Sequence, residues 1–338
     1  MEKFKQCAAN FPALTPIGFI DRAATVYGDC ISIVYNSTRF TWSHTFKRCR
    51  KLASALCSQN ISRGDVVSVV APNVPAMYEM HFAVPMAGAV LNNINIRLDA
   101  RTMAEQFSHC EPKFLFVDYQ FLPLVTEALS RIRHKPNLVV IEETTDMNKA
   151  TSEAAPTYEG MIKGGDPDFQ IRWPEDEWQA AVLNYTSGTT SAPKGVVHCH
   201  RGLYAMAVDN LLMWGMTRAP VFLWTLPMFH GNGWCFPWSI AAAGGTNICL
   251  RKFDGAAVVA RPDPFWGETP CAFVRINNNC SEVLSEVRVI SFCRERMAHF
   301  MAPKTLIFMQ ELPKTSTGKV QKFVLREIAK TLGEHSSD

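Results

Sequence analysis

The chain has no Cys-x-x-Cys pair, no block of Lys or Arg, and no apolar run long enough to span a bilayer. Its eleven cysteines are odd in number and scattered. This excludes a disulfide framework and a zinc ribbon, and it favours reduced thiols in an intracellular compartment. His198-Cys199-His200 looks metal-like in isolation. Adjacent residues on one strand or helix do not converge on an ion, however, and no partner cluster follows, so no metal site is expected there. A net charge of +3 with no basic block argues against nucleic acid or a membrane surface as partner. The opening residues, Met1-Glu-Lys-Phe-Lys-Gln, lack the apolar core of a secretory signal. There is no internal repeat or low-complexity tract. What remains is a globular composition, 47% hydrophobic and 19% charged, over 338 residues, which is enough for two or three domains.

Periodicity predicts an α/β organisation. Thr15–Gly28 reads as a helix with Ile17, Ile20, Ala24 and Tyr27 on one face and Gly28 as its stop. Ile31–Tyr35 and Arg39–Trp42 read as strands joined by a turn at Asn36-Ser37, and a helix follows from about Ser43 to Cys57. Asp65–Ala71, Lys113–Asp118 and Asn137–Ile141 are short, nearly continuous apolar runs of the kind buried inside a parallel sheet. A helix from Pro75 to about Gly88, a strand from Ala89 and a helical segment between Asp118 and Asn137 alternate with them. The pattern predicts a doubly wound α/β sheet. Residues 142–178 are polar and carry Pro and Gly, and they read as a long loop.

The most informative stretch comes next: Asn184-Tyr-Thr-Ser-Gly-Thr-Thr-Ser-Ala-Pro-Lys-Gly-Val-Val-His198. An apolar run from Ala180 to Leu183 feeds a loop with seven small, hydroxyl-bearing or Gly positions and a lysine at its end. Backbone N–H groups, three Thr and two Ser hydroxyls and an ammonium together suit a polyphosphate. Gly188 and Gly195 let the backbone approach closely and take positive φ where needed. This is not a Walker A loop, which needs Gly-x-x-x-x-Gly-Lys followed by Ser or Thr. The bland alternative is a Ser/Thr-rich surface turn.

The full string resembles the signature of the adenylate-forming superfamily, which includes acyl-CoA synthetases, luciferases and peptide-synthetase adenylation domains. The usual pattern is Tyr-Thr-Ser-Gly-Thr-Thr-Gly-x-Pro-Lys-Gly, and the departure here is Ser191 for Gly. Residues 15–118, including Met80–Asn95, look like the N-terminal part of a plant-type short- or medium-chain acyl-CoA ligase. The resemblance implies that Thr186, Ser187, Gly188, Thr189, Thr190 and Lys194 hold the β- and γ-phosphates of ATP. Ala219–Trp234 reads strand, turn, helix, and the resemblance puts His230, Gly233 and Trp234 beside the acid substrate. For the aromatics Trp224, Phe229, Trp234, Phe236 and Trp238, core packing is the alternative. Near the C-terminus, Pro313-Lys-Thr-Ser-Thr-Gly-Lys-Val-Gln-Lys322 matches the family loop whose lysine, Lys319 here, enters the site during adenylation.

The resemblance also breaks. After the strand at Asn247–Asp254 relatives carry a block of about two hundred residues. That block holds the adenine strand, the Tyr-Gly-x-Thr-Glu segment whose Glu binds Mg2+, and the Thr-Gly-Asp segment whose Asp binds ribose. None of these strings occurs in this chain. Instead Gly255–Arg275 enters the family's small C-terminal domain at its first or second strand, and a helix is expected around Ser281–His299.

The expected architecture is therefore a truncated adenylate-forming N-terminal domain with doubly wound sheets, 1–254, and a small α+β domain, 255–338. The implied reaction is acid–thiol ligation. An acyl-adenylate forms from a carboxylic acid and ATP, then reacts with CoA after a domain rotation. Activity is expected to be impaired. A non-catalytic product that pairs with intact relatives and a chain that does not fold stably stay open as alternatives. The closing Ser336-Ser-Asp338 is not a peroxisomal tripeptide, so the cytoplasm is the expected location.

Overall fold

The computed structural model describes residues 7, 13–143, 156–186, 193–252, 256–275, 284–295, 302–314 and 320–332. The chain divides into two compact units, Met1–Arg251 and Lys252–Asp338. The first unit begins with α1 (Ile17–Val26), β1 (Ile31–Tyr35), β2 (Thr38–Thr41), α2 (Trp42–Ser58), β3 (Val66–Val70), α3 (Pro75–Met86) and β4 (Val90–Asn93). It continues with α4 (Ala100–Cys110), β5 (Phe114–Asp118), α5 (Leu122–Ser130), β6 (Asn137–Ile141) and α6 (Tyr158–Gly164). Then come β7 (Ala180–Thr186), β8 (Lys194–Cys199), α7 (His200–Met213), β9 (Val221–Trp224), the short α8 (Gly231–Trp234), α9 (Phe236–Ala242) and β10 (Thr246–Cys249).

Six strands form a sheet in the order β6-β5-β3-β4-β7-β8. The first five run parallel. The all-apolar runs follow from this, because each strand has a core on both faces. Phe114 and Phe116 enter one core with α2, α3 and α6, while Leu115 and Val117 enter the other with α4 and α5. A second sheet, β2-β1-β10-β9, joins the β1–β2 hairpin to two later parallel strands. Asn36, at φ 51, makes the hairpin turn expected at Asn36-Ser37.

Three departures from the sequence reading have local causes. The stretch 142–178 is not all loop, because it contains α6. Thr157 caps that helix by accepting from Gly160 N, and Tyr158, Met161 and Ile162 form a buried face. Seven residues gave too short a period to register against the polar flanks. The sheet is not wholly parallel either. β8 runs antiparallel to β7, with Thr186 opposite Lys194, because a connection this short cannot carry a parallel crossover. Gly195 is an extended strand residue opposite Tyr185 and is not among the positive-φ glycines.

In the second unit β11 (Ala256–Asp263) and β12 (Gly267–Arg275) form a hairpin, and β13 (Thr305–Met309) lies parallel to β12. Asp263 Oδ1 accepts from Phe265 N and Trp266 N at the hairpin turn. With α10 (Glu286–Arg294) and α11 (Lys322–Thr331) the unit encloses its own core, including Val259, Phe273, Leu312 and Leu325. The described part of the helix expected at Ser281–His299 is α10.

Every residue of α3 is buried, including Glu79 at 0% exposure. Arg48 of α2 reaches Glu79 with Nε at 2.6 Å and Nη2 at 3.2 Å, and it also reaches Glu159 at 2.6 Å. Tyr158 donates to Glu79 Oε2 at 2.6 Å. Burial pushes the Glu79 carboxyl up, and the Arg48 charge opposes the shift. Removing one partner leaves a buried charge uncompensated, so Arg48→Ala is expected to cost about 3–5 kcal/mol in urea denaturation. Arg131→Ala, which removes an exposed pair with Glu127, is expected to shift stability by less than about 0.5 kcal/mol.

Candidate active site

Strand order places a site. The chain leaves β3 for β4 on one side and returns to β5 on the other, which opens a crevice at the carboxyl ends of these strands. A cavity of about 450 Å³ lies next to it, at the carboxyl ends of β4 and β7. Asn93 and Asn95 line it from the end of β4, Asn184, Tyr185 and Thr186 from the end of β7, Val196 and His198 from β8, and Phe229, His230 and Gly231 from the loop after β9.

Buried amides hold this loop. Asn73, just after β3, donates from Nδ2 to the carbonyls of Trp224 and Leu226 at 3.0 and 2.9 Å, and its Oδ1 accepts from Met228 N at 2.8 Å. One side chain thereby fixes the segment leading to Phe229 and His230. Asn210 of α7 donates to the Trp234 carbonyl at 2.7 Å, and Asn184 donates to Asn232 Oδ1 at 2.5 Å.

The segment held in this way is strained. Gly231, Asn232, Gly233, Trp234 and Cys235 have φ of 48, 41, 54, 55 and 63, a complete left-handed turn before α9 begins. Left-handed backbone costs about 1–2 kcal/mol at each non-glycine position. Gly233 is required twice over, since a Cβ there would lie 2.7 Å from Trp224 Cζ3. The expected order of strand, turn and helix holds, but the right-handed helix starts at Phe236.

Three buried polar atoms of this region, Asn93 Oδ1, Asn184 Oδ1 and Asn232 Nδ2, make no hydrogen bond within the protein. Unpaired groups of this kind cost about 1–3 kcal/mol each. Asn93 is oriented from behind. His81 Nδ1 donates to the Met77 carbonyl at 2.7 Å, so its Nε2 accepts from Asn93 Nδ2 at 3.0 Å. Burial holds His81 neutral, its pKa lowered to about 4. Burial also lowers the pKa of His198 on the cavity wall.

The structure brings some of the sequence-predicted residues together. Thr186 and Lys194 form one exposed rung of the β7–β8 hairpin, and Thr186 and His230 both line the cavity. Gly233 and Trp234 lie one turn beyond it, Gly233 packed on Trp224 and Trp234 58% exposed. Ser187, Gly188, Thr189, Thr190 and Lys319 lie outside the described residues. Sequence reasoning passed over Asn73, His81, Asn93 and Asn210. Asn73 had a usable signal, an amide between two prolines after an apolar strand. The other three sit on helices or an apolar strand and carry none.

The residues named for the cavity include no carboxylate, and the described residues hold no group of three His, Cys, Asp or Glu that could bind a metal ion. Mg2+ is usually held by one or two carboxylates together with phosphate oxygens, and the residues named for the cavity supply no such carboxylate. No helix among them is long and apolar enough to cross a membrane.

Comparisons with known proteins show the family and the fold. A family model for AMP-binding enzymes matches residues 20–298. The chain is 36% identical over 546 aligned positions to "Probable acyl-activating enzyme 6" of Arabidopsis thaliana, with 99% of each chain covered. It is 50% identical over 261 residues to "Acetate/butyrate--CoA ligase AAE7, peroxisomal" of Arabidopsis thaliana, covering 74% of this chain and 46% of that enzyme. Among solved structures, the anthranilate CoA ligase AuaEII in complex with anthranoyl-AMP superposes with a TM-score of 0.64 at 15% identity, covering 97% of this chain and 100% of that one. At that identity the likeness speaks for the fold, which is the α/β adenylate-forming fold with mixed parallel sheets. The chain belongs to the AMP-binding enzyme family, as a homologue of the plant acyl-activating enzymes and by family an acyl-CoA ligase. Because 338 residues take in 99% of an alignment partner over 546 positions, the partner's additional length falls inside the alignment.

The buried imidazole of His81 gives a pH dependence. Its folded pKa of about 4 lies below its unfolded value, so the unfolded chain binds more protons between these two values. Stability is therefore expected to be flat above pH about 6.5 and to fall by about 3 kcal/mol between there and pH about 4 on this group's account. Urea denaturation across that range checks it, and a His81→Asn variant is expected to show a shallower fall.

Proposed function

We propose that the chain takes a short-chain carboxylic acid and ATP to an acyl-adenylate and then to acyl-CoA, with turnover well below that of full-length relatives. The observation that carries the reading is the Thr186–Lys194 rung beside a cavity of mixed polar and apolar lining at the carboxyl ends of β4 and β7. In the first step a carboxylate oxygen attacks the α-phosphorus and pyrophosphate leaves. In the second the CoA thiol attacks the acyl carbonyl and AMP leaves. Thr186 and Lys194, with Ser187, Gly188, Thr189 and Thr190, would bind the β- and γ-phosphates. Lys319 would balance charge on the carboxylate and α-phosphate, since positioning and charge stabilisation carry such transfers. His230 would border the acid.

The printed substrates of relatives support a short acid: acetate and butyrate for one, acetate for a second and 2-methylpropanoate for a third, which is 33% identical over 98% of this chain. Reduced turnover is supported by the length difference and by the absent adenine, ribose and Mg2+ segments, since each lost bond to a charged group removes about 1.5–3 kcal/mol.

A second reading, a non-catalytic partner of intact ligases, has one observation in its favour. The edge strands β8 and β9 expose Val196, Val197, Val221 and Leu223. Co-purification with an intact relative would support it, and a chain that elutes alone from such a mixture would remove it.

Acid-dependent ATP–pyrophosphate exchange with acetate, butyrate and 2-methylpropanoate tests the ligase reading. Exchange is expected at less than about one-hundredth of the rate of an intact relative. It is expected to fall by a further factor of about 100 or more in Lys194→Ala. Exchange at the intact relative's rate would overturn the impairment, and an unaffected Lys194→Ala would overturn the phosphate assignment.

A further inference from the structure

We infer that His109 is a positioning residue for phosphate binding, fixing the base of the β7–β8 hairpin through Tyr185; this rests on the functional reading above. Tyr185 is the residue before Thr186, and it stands opposite Gly195, the neighbour of Lys194. Whatever fixes the Tyr185–Gly195 rung therefore fixes the next one, Thr186–Lys194.

His109 does this from outside the sheet. Its Nδ1 lies 2.7 Å from the Tyr185 hydroxyl, and the two rings meet edge to face at 5.7 Å and 81°. Both rings lie against Gly195. A Cβ there would meet Leu183 Cδ1 at 2.9 Å, and His109 Cε1 and Tyr185 Cε1 both at 3.7 Å. The close approach that a side chain at this position would create is therefore with Leu183, and both rings lie at ordinary contact distance from β8.

A side chain can orient another only if it is itself held. His109 is in the last turn of α4, and the next residue, Cys110, is anchored in the sheet. Asn92 Nδ2 of β4 donates to Ser68 Oγ of β3 at 2.9 Å and to Cys110 Sγ at 3.3 Å. Ser68 and Asn92 are fully buried. Glu111, at φ 42, ends the helix with its N–H on the Phe107 carbonyl. The chain from two central strands, through the end of α4, to Tyr185 is continuous. It ends on a side chain that lines the cavity.

An exposed histidine on a tyrosine could instead be a plain surface fastening. Calorimetric titration of the whole chain with ATP separates the two, using wild type, His109→Ala, Tyr185→Phe, the double variant and His109→Asn. His109→Ala and Tyr185→Phe are each expected to weaken ATP binding about three- to tenfold, the value of one hydrogen bond. The double variant is expected to be no weaker than Tyr185→Phe alone, because His109 acts through the Tyr185 hydroxyl that this change already removes. Asn places a hydrogen-bonding atom where Nδ1 stood, so His109→Asn is expected to recover binding to within about twofold. Thermal midpoints are expected to stay unchanged. Unaltered ATP binding in His109→Ala, additive losses in the double variant, or losses that track the thermal midpoint would each overturn the inference alone. A wild type that binds no ATP would overturn the functional reading, and this inference with it.

Discussion

A helix buried on every side, α3, is the constraint from which the larger unit is built. A helix with no polar face must be enclosed, and α1, α2 and α9 pack around it beside the six-stranded sheet. Its interior carboxylate then dictates more of the fold. Glu79 cannot sit there ionised without a countercharge, and Arg48 supplies one from α2 while also holding Glu159 of α6. Three helices are thereby set by one carboxylate. Residues flanking Glu79 within the same turn of α3 serve the site. Tyr78 donates to the Pro237 carbonyl, Trp238 Nε1 to the His81 carbonyl, and His81 fixes the Asn93 amide on the cavity wall.

The site is made from weak parts held strongly. Its lining sets amides, imidazoles and hydroxyls beside the apolar Leu98, Val196 and Phe229, and the residues named for it include no carboxylate. The backbone that presents His230 runs straight into a left-handed turn that the chain would not adopt unaided. Asn73, Asn184 and Asn210, packed from three different elements, keep it there. Strain located beside a cavity and over-determined by its surroundings is a mark of a working site. It also explains why Gly233 is needed although it does not line the cavity.

Membership of the acyl-CoA ligases comes with an unusual length relation. An alignment that takes in nearly all of both chains spans many more positions than this chain has residues. The identity to the acetate/butyrate enzyme is higher, 50%, over a part that takes in 74% of this chain. The exposed valines and leucine of β8 and β9 are physically consistent with surfaces that a longer relative would cover, since apolar strand edges are normally covered or blunted.

Sequence alone determined the elements whose information is local. The apolar runs at Asp65–Ala71, Lys113–Asp118 and Asn137–Ile141 are strands, because only a strand buried on both faces reads that way over so few residues. The string from Tyr185 to Gly195 carries the family in residue types alone. Tertiary structure decided everything that depends on partners far away in the chain. α6 was hidden because its buried face faces α2, more than a hundred residues earlier. The antiparallel turn of β8, the left-handed turn after His230, and the roles of Asn73, His81, Asn93, His109 and Asn210 were hidden for the same reason. An amide or an imidazole has no periodicity to betray it, and its meaning lies in the group it meets across the fold.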